Sequence, residues 1–373
     1  MPSHPSTDHP PYEPAPLDAY PEVDKLLIDL GLGAFDRAGL VGHPGRNENW
    51  SGPTGNGRAV FVKKLAGRDI ARRLHGMTEF DRMYRQVSEG PKPFSWRAPG
   101  LLAVQPADAL AVFELLPDAT MVSHRAEEPG FDPGLAARLG RAVGELHTVD
   151  WSPTAVDEPA AQETPDHEDF LDRLTVKEWQ AASAGELELW ALLQQDGALV
   201  AAIRALRPAD ATVPLVPCHR DLRLDQFLLS GDEVYLTDWE EFGPAEPAKD
   251  LGSVVGEFIY RAARRLVHDL DEELTGDPSA AHRALLEQGR AALAQARPAV
   301  RGFLAAYRSI RPDVDPVRVA AVVGWHLIDR ILASARHVHQ LSPLDRAQAG
   351  IGRTLLLRPE RFTAAIGLEG TDG

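Results

Sequence analysis

The spacing of apolar residues divides the chain into a short strand-rich stretch and a long helical one. After a polar, Pro-rich beginning, "PEVDKLLIDLGLG" reads as a short amphipathic helix. Alternation then takes over. Ala59–Leu65 predicts a strand, and Thr54-Gly55-Asn56-Gly57 just before it is a hairpin turn signal. Residues 67–86 return to helical spacing, with Ile70, Leu74 and Met77 on one face. "GLLAVQPADALAVFELLPDA" predicts two more strands about an Ala-Asp turn. Residues 20–116 are therefore expected to form a small sheet crossed by one helix.

Helical spacing dominates the rest. Leu135, Leu139, Val143 and Leu146 recur at helix intervals, a polar stretch with prolines covers 151–166, and helical segments run to about Arg207. Short strands are expected near 215–218, 226–229 and 234–237, and helices over 247–267, 280–309, 316–340 and 342–355. The pattern predicts an α+β chain: a disordered arm over 1–17, a sheet lobe over 18–116, a polar hinge near Leu115–Ala119, and a mainly helical lobe over 117–373.

Composition narrows the function classes. With 373 residues the chain is long enough for two lobes, and no run approaches the length of a membrane span. The N-terminus has neither the basic start nor the apolar core of a secretory signal, so no membrane role is expected. A net charge of −16 disfavours nucleic acid and permits a cationic partner. The single cysteine, Cys218, excludes an internal disulfide framework and a multi-Cys zinc site, and a cytoplasmic location is expected. Within "LVPCH" it reads as a small buried hydrophobe. His326, His337 and His339 do not share one helix face with a carboxylate, so they read as core or surface histidines rather than a zinc site.

The chemistry concentrates in "CHRDLRLDQFLLSGDEVYLTDWEEFG", Cys218–Gly243. Two aspartates, Asp221 and Asp238, each stand at the edge of a β-like run. That arrangement suits phosphoryl transfer, in which one carboxylate orients the attacking hydroxyl and another holds Mg²⁺ against nucleotide phosphates. The segment resembles the catalytic loop and metal-binding segment of kinase-like phosphotransferases, specifically the aminoglycoside phosphotransferase and choline kinase superfamily. Gly243-Pro244-Ala245-Glu246-Pro247 followed by Asp250-Leu251-Gly252 resembles that group's Gly-Asp-Pro…Asp-Leu-Ala element, and "LGRAVGELH" resembles the helix before its catalytic loop. The resemblance covers roughly residues 38 to 255.

The resemblance implies a bilobal, protein-kinase-like fold using ATP or GTP with Mg²⁺. It makes Asp221 the catalytic base, His219 a brace of the loop, Asp238 the principal metal ligand and Asp250 a support of the loop. Gln226 stands where the family has Asn; its amide oxygen can still reach a metal, from a side chain one methylene longer. Upstream, Lys63 is expected to grasp phosphate with Glu79 as its partner, although the adjacent Lys64 competes for that role. Arg46, Asn47 and Asn49 in "GHPGRNENW" are expected to cradle phosphate through backbone amides. Glu114 and Leu116, in "ELLP", match the hinge that binds adenine.

The acceptor is less constrained. Carboxylates over 157–188, among them Asp157, Glu158, Glu163, Asp166, Asp172, Glu178, Glu186 and Glu188, are compatible with a cationic aminoglycoside or with an ordinary solvated face. Arg223, two residues after Asp221, occupies the place of a phosphate-contacting Lys in Ser/Thr protein kinases. "DLRLDQFL" with "DWEEF" also resembles kinase components of systems that make lanthionine- or thioamide-containing peptides. That resemblance favours Ser or Thr of a ribosomal precursor peptide as acceptor, with a separate partner lyase eliminating the phosphate. A nucleotide-binding pseudokinase is the competing class.

Overall fold

A computed structural model describes residues 16–43, 45–116, 118–125, 131–154, 168–207, 214–268 and 278–369. The chain is α+β and divides into two compact units, Met1–Thr120 with Leu228–Phe242, and Met121–Phe227 with Gly243–Gly373. Most of the expected arm lies outside the described residues, but its expected last residue, Leu17, is buried in a 3₁₀ turn.

The first unit opens with α1 (Pro21–Asp29), followed by β1 (Val41–His43), β2 (Glu48–Pro53), β3 (Ala59–Lys64), α2 (Ile70–Ser88), β4 (Leu101–Gln105) and β5 (Leu110–Glu114). The strands form one antiparallel sheet in the order β1-β2-β3-β5-β4. Alternation along β3 and β5 sends Val60, Val62, Leu110 and Val112 to one face, where they pack with Val23 and Leu27 of α1. Ala111 and Leu101 join Leu74 and Met77 of α2.

Residues 228–242 return to this unit, whereas the sequence expectation assigned all of 117–373 to the other. The reason is backbone pairing. The Arg97 amide donates to Val234 O and the Leu236 amide to Arg97 O, both at 2.8 Å. A partner strand more than 130 residues away carries no local signal.

β6 (Thr120–Met121) joins the two stretches of chain, and the second unit continues with the helices α3 (Val122–Arg125), α4 (Pro133–Leu146), α5 (Val176–Ala181), α6 (Ala184–Gln194) and α7 (Gly197–Arg204). β7 (Val216–Cys218) leads to β8 (Phe227–Ser230) and β9 (Glu233–Leu236), the hairpin that carries the chain through the first unit. β10 (Gly243–Ala245) then pairs antiparallel with β7, closing the excursion over 219–242 that holds the two motif aspartates. The helices α8 (Pro247–His268), α9 (Pro278–Arg308), α10 (Pro316–Ala335) and α11 (Pro343–Leu357) follow. One apolar core joins Leu189, Trp190, Ile203, Ile328, Ile331 and Leu356. Elsewhere α4 and α9 approach so closely that a Cβ at Gly140 would meet Phe303 O at 2.0 Å. Among the described residues no helix is long and apolar enough to cross a membrane.

Candidate functional site

The candidate residues fall into two groups, one in each unit. In the first unit, the pleat separates the two adjacent lysines. Lys64 points toward α1, where its Nζ donates to Glu22 at 2.7 Å and sits 5.5 Å from the Tyr20 ring centroid. Lys63 points to the opposite face, is buried, and pairs with Asp238 and, at 2.5 Å, with Glu240. Burial opposes its charge, but Asp238 and Glu240 outweigh burial and raise its pKa above the ordinary lysine value.

Glu240 is the hub of this group. Its carboxylate accepts from Arg73 at 2.8 Å, Arg46 at 2.7 Å and the Asn47 side-chain amide at 3.1 Å, in addition to Lys63. Burial pushes the Glu240 pKa up, yet Lys63 and Arg73 outweigh it and hold the group at about 2. Glu241 pairs with Arg72 at 2.7 Å and Arg46 at 3.2 Å. Four cations thus face the three carboxylates of Asp238, Glu240 and Glu241.

Aromatic packing sets the turn that presents Asp238. The Trp239 ring stacks on Phe80 of α2 at 3.6 Å and 5°, with Trp96 at 5.7 Å and Phe242 edge-on. Trp239 Nε1 donates to Leu236 O at 3.1 Å. A Cβ at Gly76 would stand 3.1 Å from Glu240 O, so glycine lets α2 lie against this turn. Asp238 itself has φ 69, in the left-handed region that non-glycine residues seldom enter.

Two expectations for this unit are corrected. Glu79 does not pair with Lys63; it pairs with Arg82, one turn along α2, at 2.9 Å, while Glu240 arrives from a distant segment to take the lysine. Asn49 is not in a loop. It lies in β2 between His43 and Lys63, so its backbone belongs to the sheet, and its side-chain amide donates to Asn47 O at 3.1 Å. The Asn47 side chain likewise is buried structure, accepting from the Ala66 amide and from Arg73. Glu114, at the end of β5, donates its amide to Gly100 O at 2.9 Å and pairs with Arg58 at 2.5 Å. Leu116 O accepts from the Ala119 amide at 3.2 Å. Pro117, the end of the expected hinge, lies outside the described residues.

The second group is built around the 218–226 loop. Asp250, fully buried on α8, accepts the His219 amide on one oxygen and the Arg220 amide on the other, each at 2.8 Å. Burial pushes its pKa up, but the hydrogen bond from His147 and the nearby amides and histidines hold it below the ordinary carboxylate value. Arg220 has φ 71, so the loop turns through a left-handed residue immediately before Asp221. Arg223 Nη1 stands 3.2 and 3.3 Å from the two Asp221 oxygens, and its Nε donates to Asp225 at 3.2 Å.

Gln226, expected as a metal ligand, is buried and engaged at both ends of its amide. Oε1 accepts the Arg223 amide at 2.8 Å, and Nε2 donates to Asp221 at 3.4 Å. The additional methylene lets the oxygen fold back three residues along the 3₁₀ turn, so the side chain braces Asp221. Of the three C-terminal histidines, His326 is buried against Glu257 at 3.1 Å, and His337 and His339 are exposed.

A model of the phosphotransferase enzyme family matches residues 45–303, more than half of the chain. The chain belongs to that family. Family membership makes it a phosphotransferase with an alcohol group as acceptor. Solved structures similar to this phosphotransferase include a choline/ethanolamine kinase family protein from Mesorhizobium loti, at 19% identity and TM-score 0.48 over 88% of this chain and 92% of that one. Choline kinase LicA from Streptococcus pneumoniae is similar at 14% identity and TM-score 0.48, over 91% and 99%. Macrolide 2'-phosphotransferase MphH from Brachybacterium faecium is similar at 14% identity and TM-score 0.43, over 88% and 97%. No curated protein matches the phosphotransferase.

Two histidine-rich features of the phosphotransferase have ordinary explanations. Side-chain ligand atoms of His147, Cys218 and Asp250 lie within 4.8 Å of one another. Cys218 Sγ also stands 3.6 and 3.7 Å from the carbonyls of Ala245 and Glu246, contacts that suit a protonated thiol rather than a metal thiolate. His326 hydrogen-bonds Glu257 alongside Arg330 and Arg261; burial pushes that carboxyl up, and these partners hold it at about 2.

Proposed function

We propose that this phosphotransferase moves the γ-phosphate of ATP or GTP, with Mg²⁺, to a hydroxyl of a peptide. The Lys63–Asp238 pair carries the reading. It joins the buried lysine of β3 to the motif aspartate within a cluster that also holds Arg46, Arg72 and Arg73, cations that suit a polyanionic nucleotide. Asp238 fits a hard cation: its carboxylate is partly exposed beside Lys63, and Mg²⁺ typically uses one or two protein carboxylates with phosphate oxygens and waters. Bound there, Mg²⁺ would neutralise charge on the phosphates.

In this reading Lys63 exchanges its carboxylate partners for phosphate oxygens, and Arg46 adds a mobile cation. Glu114 and Leu116 meet the base. Asp221 orients the acceptor hydroxyl and takes its proton as the oxygen bonds to the γ-phosphorus and the nucleoside diphosphate leaves. Arg223, bridging Asp221 and Asp225, is the cation assigned to the charge that moves onto the transferred group. Gln226, His219 and Asp250 hold the loop.

The acceptor reading is Ser or Thr of a ribosomal precursor peptide, phosphorylated ahead of elimination by a partner lyase. Its support is the resemblance of the loop, together with the fate of the acidic stretch. Asp157, Glu158, Glu163 and Asp166 lie outside the described residues. Of the others, Asp172 pairs with Arg204 at 2.7 Å, Glu186 with Arg336 at 3.3 Å and Glu188 with Arg346 at 2.6 Å, while Glu178 caps α5. Carboxylates committed in this way give a polycationic sugar less to bind.

The test is intact-mass analysis of two acceptor panels, precursor peptides and aminoglycosides, after incubation with enzyme, Mg²⁺ and ATP or GTP. A phosphoryl gain on peptide, absent with Asp221→Asn, supports the reading. Gain on aminoglycosides alone replaces the acceptor, and no gain on either with tight nucleotide binding favours a nucleotide-binding partner protein.

A further inference from the structure

The second unit contains a buried chain of polar groups of which the proposed chemistry uses only the Asp250 end. It starts at Tyr307, near the C-terminus of α9 and beyond the last residue of the family match at 303. Tyr307 is fully buried, and its hydroxyl lies 2.9 Å from His147 Nδ1. His147 caps the C-terminus of α4, and its Nε2 lies 3.2 Å from Asp250 Oδ2. Asp250 in turn holds the amides of His219 and Arg220, the two residues before Asp221. Arg311 donates to His147 O at 2.8 Å, so the imidazole is tethered through its backbone as well.

The proton positions along this chain follow from the acceptors. Asp250 is a carboxylate and can only accept, so His147 Nε2 carries a proton and donates to it. In a neutral ring Nδ1 then accepts, and the Tyr307 hydroxyl is its donor. Burial pushes the Tyr307 pKa up, which keeps the phenol protonated. Cys218 Sγ, 3.5 Å from His147 Nε2, is oriented by its own carbonyl partners and does not compete as a strong acceptor.

We infer that Tyr307 is a positioning residue for the catalytic loop: its hydroxyl fixes the His147 tautomer, through which Asp250 is held on the two amides that set the aim of Asp221. The inference rests on the proposed role of Asp221. Arg220 explains why the loop needs such a hold. A non-glycine residue at φ 71 relaxes toward ordinary backbone unless its amide is pinned, and Asp250 pins it. The catalytic loop is thereby tied to a helix end that lies beyond the matched residues.

The test compares wild type with Tyr307→Phe, a near-isosteric change, in the full chain. His147 ¹⁵N resonances, assigned by their loss in His147→Gln, report the tautomer. Wild type is expected to show a proton on Nε2, and Tyr307→Phe a mixture. Amide exchange across 218–222 is expected to rise about tenfold, the worth of one hydrogen bond, with α10 unchanged. Turnover of Mg-ATP, with the phosphorylated acceptor or by hydrolysis, is expected to fall by a similar factor at constant KM for ATP. In His147→Gln, whose amide donates to Asp250 unaided, adding Tyr307→Phe should change loop exchange no further. An unaltered tautomer and unaltered exchange in Tyr307→Phe overturn the inference, as does a loosened loop with undiminished turnover. If wild type turns over nothing, the proposed function fails by itself, and tautomer and exchange still decide the relay.

Discussion

Glu240 and Asp250 are both buried carboxylates held below their ordinary pKa, yet they are stabilised in opposite ways. Glu240 is surrounded by the ends of long side chains, Lys63, Arg46 and Arg73, with the Asn47 amide. Asp250 is surrounded by backbone amides and a histidine that is itself tethered. Long cations can exchange one anion for another at small cost, so the first arrangement can open to a polyanionic ligand. Backbone amides have no alternative place to go, so the second arrangement holds a shape. One unit is built to trade partners and the other to keep them.

The largest effect that would break this contrast is at Lys63. Lys63→Met should lower turnover by about 10²- to 10³-fold, the usual cost of losing one charge-stabilising donor. Thermal stability should fall by less than in Glu240→Gln, because Glu240 keeps Arg73 and Arg46. A large loss of melting temperature would show that the cluster is structural after all. Asp250→Asn should lower turnover and stability together. It places an amide among groups that already donate, and urea unfolding should report a loss of about 3 kcal/mol.

Acid sharpens the comparison next. A carboxylate depressed in the folded state contributes stability that is present above its unfolded pKa and lost as pH falls through the folded value. For Glu240 the window runs from its ordinary 4.5 down to about 2. The stability gap between wild type and Glu240→Gln should therefore be on the order of 3 kcal/mol at pH 7 and shrink toward pH 2. A gap independent of pH in urea titrations would mean that packing, not ionisation, sets the role of Glu240. The smallest effect is expected at Arg46, whose side chain is 44% exposed. Arg46→Ala should weaken nucleotide binding by about threefold to fivefold in calorimetry, the scale of an exposed ion pair. A far larger loss would make Arg46 a fixed part of the nucleotide grip.

Local periodicity carried most of the fold. The helix expected over 280–309 is Pro278–Arg308, the one over 342–355 is Pro343–Leu357, and the strand expected over 234–237 is Glu233–Leu236. Alternation along β3 also contained the separation of Lys63 from Lys64, once a face was assigned. What local pattern could not supply was the identity of distant partners. Glu79 is an acid of the helix that follows the lysine strand, whereas Glu240 reaches Lys63 because Trp239 stacks on Phe80. The signal for Glu240 was present in "DWEE", since a charge two residues beyond Asp238 must go somewhere when the intervening Trp is buried. The helix expected to reach 340 stops at Ala335 because Ser183, 152 residues away, donates to its terminal carbonyl at 2.6 Å. Gln226 likewise looked like a longer Asn, but the longer arm is what lets it bind its own backbone turn.

Cys218 gives the protein an internal clock. It is the only thiol in the chain and is fully buried in β7, immediately before the loop that bears Asp221. A thiol-specific dye can reach it only when that strand opens, so the labelling rate of the unmodified protein measures how often the reactive loop comes undone. The same seal leaves any cysteine introduced on the surface as the sole fast-reacting site, and a fluorophore can be attached there without first removing a native residue.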